Sequence, residues 1–242
     1  LQKLSQTSAK TKPKKAYWEK WMAQLFCATN EERALFHFAN KMLGQEREFK
    51  LKVYPALGFS VIMPFILLFN VIRSDFNAPY AFLTIYFCNL MIPNVIHMLK
   101  YSSKYEGAWI YGVLPIAEPK TIYRATLKAF LTKLYMPIIL LVSLIFLFVF
   151  SLSSILDIVA IILVGWLYIL SCYKLLNNQR YPFSQSFSFA QNVNTGNMIL
   201  SMLIIGLFTL VHFIISLIPF GVPIYIIVLA ISNWIAWKKV FS

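Results

Sequence analysis

The sequence predicts an all-α, polytopic membrane protein with six transmembrane helices, and three observations carry that prediction. First, 59% of the 242 residues are hydrophobic and only 13% are charged, against roughly 45–50% and 25% in soluble domains. Second, the apolar residues gather in blocks near the ~20 residues that a helix needs to cross a hydrocarbon core about 30 Å thick. Third, the basic residues between those blocks alternate so strongly in number that they assign a side to every loop.

The chain opens with a basic segment, residues 1–30, whose first part "KLSQTSAKTKPKK" is polar enough to stay flexible. It has no apolar core, so it is not a secretory signal peptide. The chain starts at Leu1, which leaves open that it is a piece of a longer protein. Residues 31–242 form the membrane domain. Its first element, about 31–52, has an amphipathic pattern in which Ala34, Leu35, Phe38, Met42 and Phe49 share an apolar side opposite Arg33, Lys41, Arg47 and Lys50. "TNEE" before it supplies a capping threonine and an acidic first turn. Such a helix either lies on a leaflet with its apolar face in the acyl boundary or packs on its own protein.

Six spans follow, at about 56–72, 79–99, 134–152, 154–173, 198–218 and 222–237. Trp109 and Tyr111 follow the second, and Trp234 and Trp237 close the sixth, as amphipathic rings do at the headgroup level. Pro64 and Pro93 fall inside spans and predict kinks, because each removes a helix hydrogen bond. Of the 22 Lys and Arg, 21 fall before the first span, in the even-numbered loops and in the tail, and only Arg73 falls on the other side. The positive-inside rule then places both termini in the cytoplasm. The net charge of +13 thus reads as topology and contact with anionic lipid, not as a nucleic-acid surface.

Between the second and third spans lies a second amphipathic helix, about 118–133. Pro119 suits its first turn and Glu118 its dipole. Tyr123, Leu127, Phe130, Leu131 and Leu134 recur on one side, while Lys120, Arg124 and Lys128 recur at i, i+4 and i+8 on another. Three roles fit this pattern: a brace between two spans, a surface for anionic lipid, or a docking helix through which a partner moves the spans. The loop after the fourth span, rich in Asn, Gln, Ser and Phe, is a second cytoplasmic surface.

The sequence holds no catalytic or metal-ligating signature. There is no phosphate loop, HExxH, GxSxG or paired Cys/His cluster. Cys27, Cys88 and Cys172 lie far apart, and His37, His97 and His212 are isolated and read as structural residues. Asp157 is the one charge within a span, near its outer end, where capping the helix explains it. With neither a buried relay nor a ring of charge, an ion-coupled transporter or a channel is disfavoured. Asn70, Asn89, Asn94 and Asn233 are the polar residues able to line a pathway, though helix–helix hydrogen bonding explains such residues as well.

Six spans with both ends inside, an N-terminal interfacial helix, and the stretches "EREFKLKVYPALGF" and "WIYGVLPIAEPKTIYRATLKAFLTKLYMPIILL" resemble the permease subunits of bacterial ABC-type exporters of the type-2 class. The resemblance covers most of Glu31 to Trp237. It implies that 118–133 is a coupling helix, with Glu118, Lys120, Arg124 and Lys128 docking on a separate ATP-binding cassette ATPase. It further implies a connector helix over 31–52, a second permease copy or half, ATP held by the partner alone, and residence in the bacterial cytoplasmic membrane. One departure is that only "PFGV" is available between spans five and six, where many such permeases carry re-entrant helices; another is that longer members have more spans. The alternatives from other classes are a structural or assembly subunit of a membrane complex, and a membrane-embedded enzyme without a recognisable motif.

Overall fold

The computed structural model describes residues 13–73, 78–113, 118–150, 154–176, 181–190 and 195–241. Within them the chain is helical, without strands; one isolated bridge joins Tyr101 and Gln185. Six of its helices are long and apolar enough to cross a membrane, as expected of a multi-pass membrane protein. Residues 1–12 of the basic segment lie outside the described residues, as do 114–117, 177–180 and 191–194 in the loops.

Two helices precede the spans. Helix α1 runs Pro13–Phe26, so the segment expected to be flexible is helical from residue 13 onward. Helix α2 runs Asn30–Gln45, and Thr29 caps it by accepting a hydrogen bond from the Glu32 amide at 3.1 Å. The single helix expected over 31–52 is instead broken at Glu46, whose backbone is extended (φ −72°, ψ 117°). The Glu46 carboxylate accepts hydrogen bonds from the Ser102 hydroxyl (2.8 Å) and the Ser103 amide, which ties the break to the loop after the second span. The buried side of α2 also differs from the expected one. Leu35 is buried, but its companions are Phe36, Ala39 and Leu43, while Ala34 and Phe38 are exposed. The helix therefore turns its apolar stripe onto protein, and its chief packing partner is the amphipathic helix between spans two and three.

Helix α3, Arg47–Arg73, is the first span and is continuous through Pro55 and Pro64. The second span changes helix type. Ala78–Met91 is a 3-10 helix, followed by α4 at Ile92–Met98. A 3-10 helix rises about 2.0 Å per residue against 1.5 Å in an α-helix, so this apolar stretch reaches further than its length suggests. Pro93 sits in the first turn of α4, where the N–H it lacks would have been unpaired. Its effect is to mark the junction between two helix types. A short helix α5, Ile110–Val113, leads towards α6, Pro119–Phe130.

From Pro119 to Phe150 the helical run is unbroken. Helix α6 passes through one π-helical stretch, Leu131–Tyr135, into α7, Met136–Phe150, which is the third span. Pro137 explains the widened turn: it supplies no N–H to the preceding turn, and its ring crowds the carbonyl four residues back. Helices α8 (Ile155–Leu176), α9 (Thr195–Ser216) and α10 (Gly221–Val240) are the remaining spans. The turn between α9 and α10 is short, with Phe220 at φ 62° and no re-entrant helix.

Helix α8 lies at the centre. Ala160, Ile161, Val164 and Tyr168 are fully buried on it. By contrast α9 presents Leu203, Leu207, Leu210 and Ile214 outward, as a helix facing lipid tails would. At Gly165 of α8 the neighbouring helices leave no room for a side chain. The Tyr135 hydroxyl donates to Asn89 Oδ1 at 3.1 Å, and a methyl group on Gly165 would stand 1.7 Å from that hydroxyl oxygen. Gly165→Ala is therefore expected to cost about 1–3 kcal/mol through overpacking, read as a lower melting temperature in detergent. Gly206→Ala, where a methyl meets open space, is expected to leave the melting temperature unchanged or slightly raised, because alanine is the better helix former.

Candidate functional site: an ionic clasp on the amphipathic helix

The row Lys120, Arg124, Lys128 expected on α6 divides in two. Glu118 and Lys120 are exposed at the first turn. Arg124 and Lys128 turn inward onto Glu32 of α2, whose side chain is fully buried. Arg124 Nε lies 2.8 Å and Lys128 Nζ 2.6 Å from Glu32 Oε1, and the other oxygen, Oε2, accepts from the Ala28 amide at 3.0 Å. Lys128 also donates to the Phe26 carbonyl at 2.6 Å, and Arg33 Nε to the Cys27 carbonyl at 3.3 Å. The turn between α1 and α2 is thereby pinned across α6. One turn further along, Lys133 Nζ donates to the Asn40 carbonyl.

Sequence spacing supports this geometry once the helices pack. Glu32 lies on the same stripe of α2 as Leu35, Phe36, Ala39 and Leu43, so burying that stripe on α6 buries the carboxylate too. A buried carboxylate costs several kcal/mol unless it is paired and hydrogen-bonded. Both oxygens here are used and two cations face one of them. In the sequence alone, Glu32 stands out only as part of an acidic first turn. What is not visible there is the partner, 92 and 96 residues away.

Cys27, at the same turn, is 2% exposed. Burial first, and the Glu32 carboxylate second, push its thiol up to about 11. Lys100, in the loop after α4, is also buried and donates to the Leu176 carbonyl at the end of α8. Burial pulls its ammonium below the usual lysine range. Around it the loop is knitted to 183–185: Ser102 N–H donates to the Gln185 carbonyl (2.8 Å), and the Gln185 and Ser184 amides donate to the Lys100 carbonyl (3.0 and 2.8 Å). The loop expected to be a second surface is thus fastened to the first.

The four asparagines do not form one lining. Asn70 is exposed near the end of α3 and Asn94 is half-buried on α4. Asn89 holds Tyr135. Asn233 of α10 donates to the Leu163 carbonyl of α8 at 3.0 Å and to the Leu229 carbonyl at 2.9 Å. The last two bind helix to helix around the same turn of α8.

A second polar cluster was not anticipated. His212 of α9, fully buried, has Nδ1 2.9 Å from the Tyr86 hydroxyl and Nε2 3.3 Å from Asp157 Oδ1. The Asp157 contact is short enough for an ion pair but off the line for a hydrogen bond, since Nε2 has no directed partner among the described residues. Which of Tyr86 and Nδ1 donates depends on the tautomer of the ring; Nε2 is the nitrogen that faces Asp157. Phe82 and Tyr225 close the ring's faces at 5.5 and 5.6 Å between centroids. Asp157 does stand in the first turn of α8, as expected. The available signal was depth: in an α8–α9 hairpin, residue 157 near one helix's start and 212 near the other's end lie at the same level.

Among the described residues no group of three or more His, Cys, Asp or Glu is placed to hold a metal. A scan against protein families finds no match to this chain, and searches of curated proteins and of solved structures find none either.

The clasp makes its own prediction. Glu32→Gln leaves two cations facing a neutral amide and is expected to destabilise the α1–α2 turn by about 3 kcal/mol, at the lower end for breaking a buried pair. The readout is Cys27: its thiol stays protonated and shielded in the wild type, so iodoacetamide at pH 8 should label it slowly. The Glu32→Gln variant, in a background without Cys88 and Cys172, should label at least tenfold faster. Equal labelling rates would mean that the clasp does not hold the turn.

Proposed function

We propose that this chain is the membrane-spanning permease subunit of an ATP-driven exporter in the bacterial cytoplasmic membrane, with both termini and α6 on the cytoplasmic side. ATP binding and hydrolysis belong to a separate cassette ATPase, a second permease copy or half completes the pathway, and this chain performs no chemistry. The observation that carries the proposal is the unbroken helical run from Pro119 to Phe150. A force applied at the exposed first turn of α6 passes along a continuous helix, through one π-helical stretch, into the third span without crossing a loop. That is the mechanical property a coupling helix needs.

Further support comes from what lies at that end. Glu118 and Lys120 are exposed, and in the segment just before them Trp109 and Val113 are 68% and 70% exposed. An uncovered tryptophan is a residue in which protein-binding patches are enriched, and exposed charges such as Glu118 and Lys120 suit the rim of one. Arg124 and Lys128, occupied with Glu32, hold α6 in place, and the docking face reduces to the first turn and its approach. A partner that binds this patch differently in two of its own states shifts the permease between two states, which is all that such coupling requires.

The test is co-purification in detergent with a cassette ATPase encoded beside this chain, where there is one. Lys120→Glu combined with Trp109→Ala is expected to reduce retained ATPase at least tenfold while leaving the elution volume and helical content of the permease unchanged. Undiminished retention by the folded double variant would remove α6 as the docking element. If even the wild type retains no ATPase, the reading as a structural or assembly subunit takes precedence.

A further inference from the structure

A cavity of about 460 Å³ opens between α6, α8 and α10, beside the clasp. Its wall carries Arg124, Lys128 and Lys238 together with Trp166, Trp234 and Trp237. Three cations and three tryptophans in one wall is an unusual composition in a chain with six tryptophans in all.

The register of the helices explains how it arises. Asn233 of α10 bonds the Leu163 carbonyl of α8, which levels those two residues. Three residues further along each helix, Trp166 is level with Ala236, between Trp234 and Trp237. The three indoles therefore form one band. Lys238 Nζ stands 5.6 Å from the Trp234 ring centroid, a cation–π contact. Phe26 meets Trp166 edge-on at 6.1 Å, closing the wall against the α1–α2 turn. Leu131 and Thr132 line the side towards α7.

The polar groups of this wall are incompletely used. Arg124 meets Glu32 through Nε, and its two terminal nitrogens have no partner among the described residues. The indole N–H groups of Trp166 and Trp237 are buried and likewise lack acceptors among them. Glu32 behind the wall offsets one of the three positive charges and leaves a surplus of two. Donors without acceptors, surplus positive charge and an aromatic band are complementary to an anionic group rich in acceptor oxygens that is attached to an apolar body.

We propose that this cavity is a binding site for an anionic phospholipid, its phosphate held by Arg124, Lys128 and Lys238 and the start of its acyl chains packed on the tryptophan band. Trp234 and Trp237 lie near the end of α10, where indole rings favour the headgroup level, while Trp166, in the middle of α8, extends the aromatic wall inward; each basic group near an anionic headgroup adds about 1 kcal/mol, roughly fivefold in affinity. The occupant is a lipid and not a free phosphate because most of the wall is apolar, and a small hydrated anion would leave that surface unused. The site does not depend on the exporter reading: it needs only six spans and this end of the bundle at a membrane surface.

Native mass spectrometry of the detergent-purified chain, after titration with phosphatidylglycerol or phosphatidylcholine, tests the proposal. Phosphatidylglycerol should be retained at least tenfold better than phosphatidylcholine. Lys238→Gln should lower its retention about fivefold, whereas Lys239→Gln, one residue on and outside the wall, should leave it unchanged. Neither lysine belongs to the clasp, so loss of fold is not the expected effect of either. Inorganic phosphate at millimolar concentration should fail to displace the lipid. Equal retention of the two lipids, equal effects of the two lysine variants, or displacement by phosphate alone would each overturn the proposal, the last by making the cavity a free-anion site.

Discussion

The buried carboxylate of Glu32 is the constraint on which the non-spanning part of the structure depends. An ionised group removed from water is tolerated only where several partners converge on it. Here they come from three places in the chain: the Ala28 amide in the α1–α2 turn, and Arg124 and Lys128 from successive turns of α6. Satisfying one side chain thus sets the position of α1, the rotation of α2 about its axis and the height of α6. The apolar contacts of Leu35, Phe36, Ala39 and Leu43 with α6 supply most of the free energy, since dispersion and burial scale with area. They would tolerate a slip of one helix along the other far better than the ion pairs would. Specificity of register comes from the charge; adhesion comes from the stripe.

The same division explains what could be read in the sequence. The spans were legible because each is a local property, an uninterrupted apolar run of sufficient length, and Ile155–Leu176 or Thr195–Ser216 needs no knowledge of its neighbours. The amphipathic pattern of 118–133 was legible for the same reason. The side on which Arg124 and Lys128 would find a partner was not, because it depends on which stripe of α2 is buried, and α2 offers two. Ala34 and Phe38 define one, Leu35, Phe36, Ala39 and Leu43 the other, and only the second carries Glu32 in line. The break at Glu46 was hidden likewise. Nothing local stops a helix at Gln45, and the stop is provided by Ser102 and Ser103 capturing the Glu46 carboxylate from across the loop. The Tyr86–His212–Asp157 cluster shows the same limit inside the spans. Each residue is unremarkable on its own helix, and only the pairing of α8 with α9 and the 3-10 segment makes them neighbours.

Helix type carries information of its own in the two spans that flank α6. The 3-10 stretch before it and the π stretch after it are opposite departures from the α-helix, one tightened and one widened. Both occur near a proline, Pro93 and Pro137, where the backbone ladder is already short of a donor. A helix with such a place in it bends or rotates there first, because the hydrogen bonds that would resist are absent or poorly aligned. In the third span that place, Leu131–Tyr135, lies immediately beyond the last residue of α6 and one turn from the clasp.

A consequence follows for the way α6 can move. Held to α2 at Arg124, Lys128 and Lys133, it cannot pivot alone, so α2 and the turn after α1 travel with it as one body. The body is joined to the third span through the π stretch, and to the loop after α4 through Glu46. Under the coupling proposal, displacement at the first turn of α6 would reach three spans: the third through the π stretch, the second through the Glu46 strap, and the first directly, because α2 passes into α3 at Arg47. The cavity beside the clasp shares two of its cations, Arg124 and Lys128, with that same body, and takes its third, Lys238, from α10. An anion seated there would bridge α6 and α10. If α6 moves relative to α10 as the coupling proposal requires, then by linkage whatever favours the bridged position of α6 also favours occupancy of the cavity.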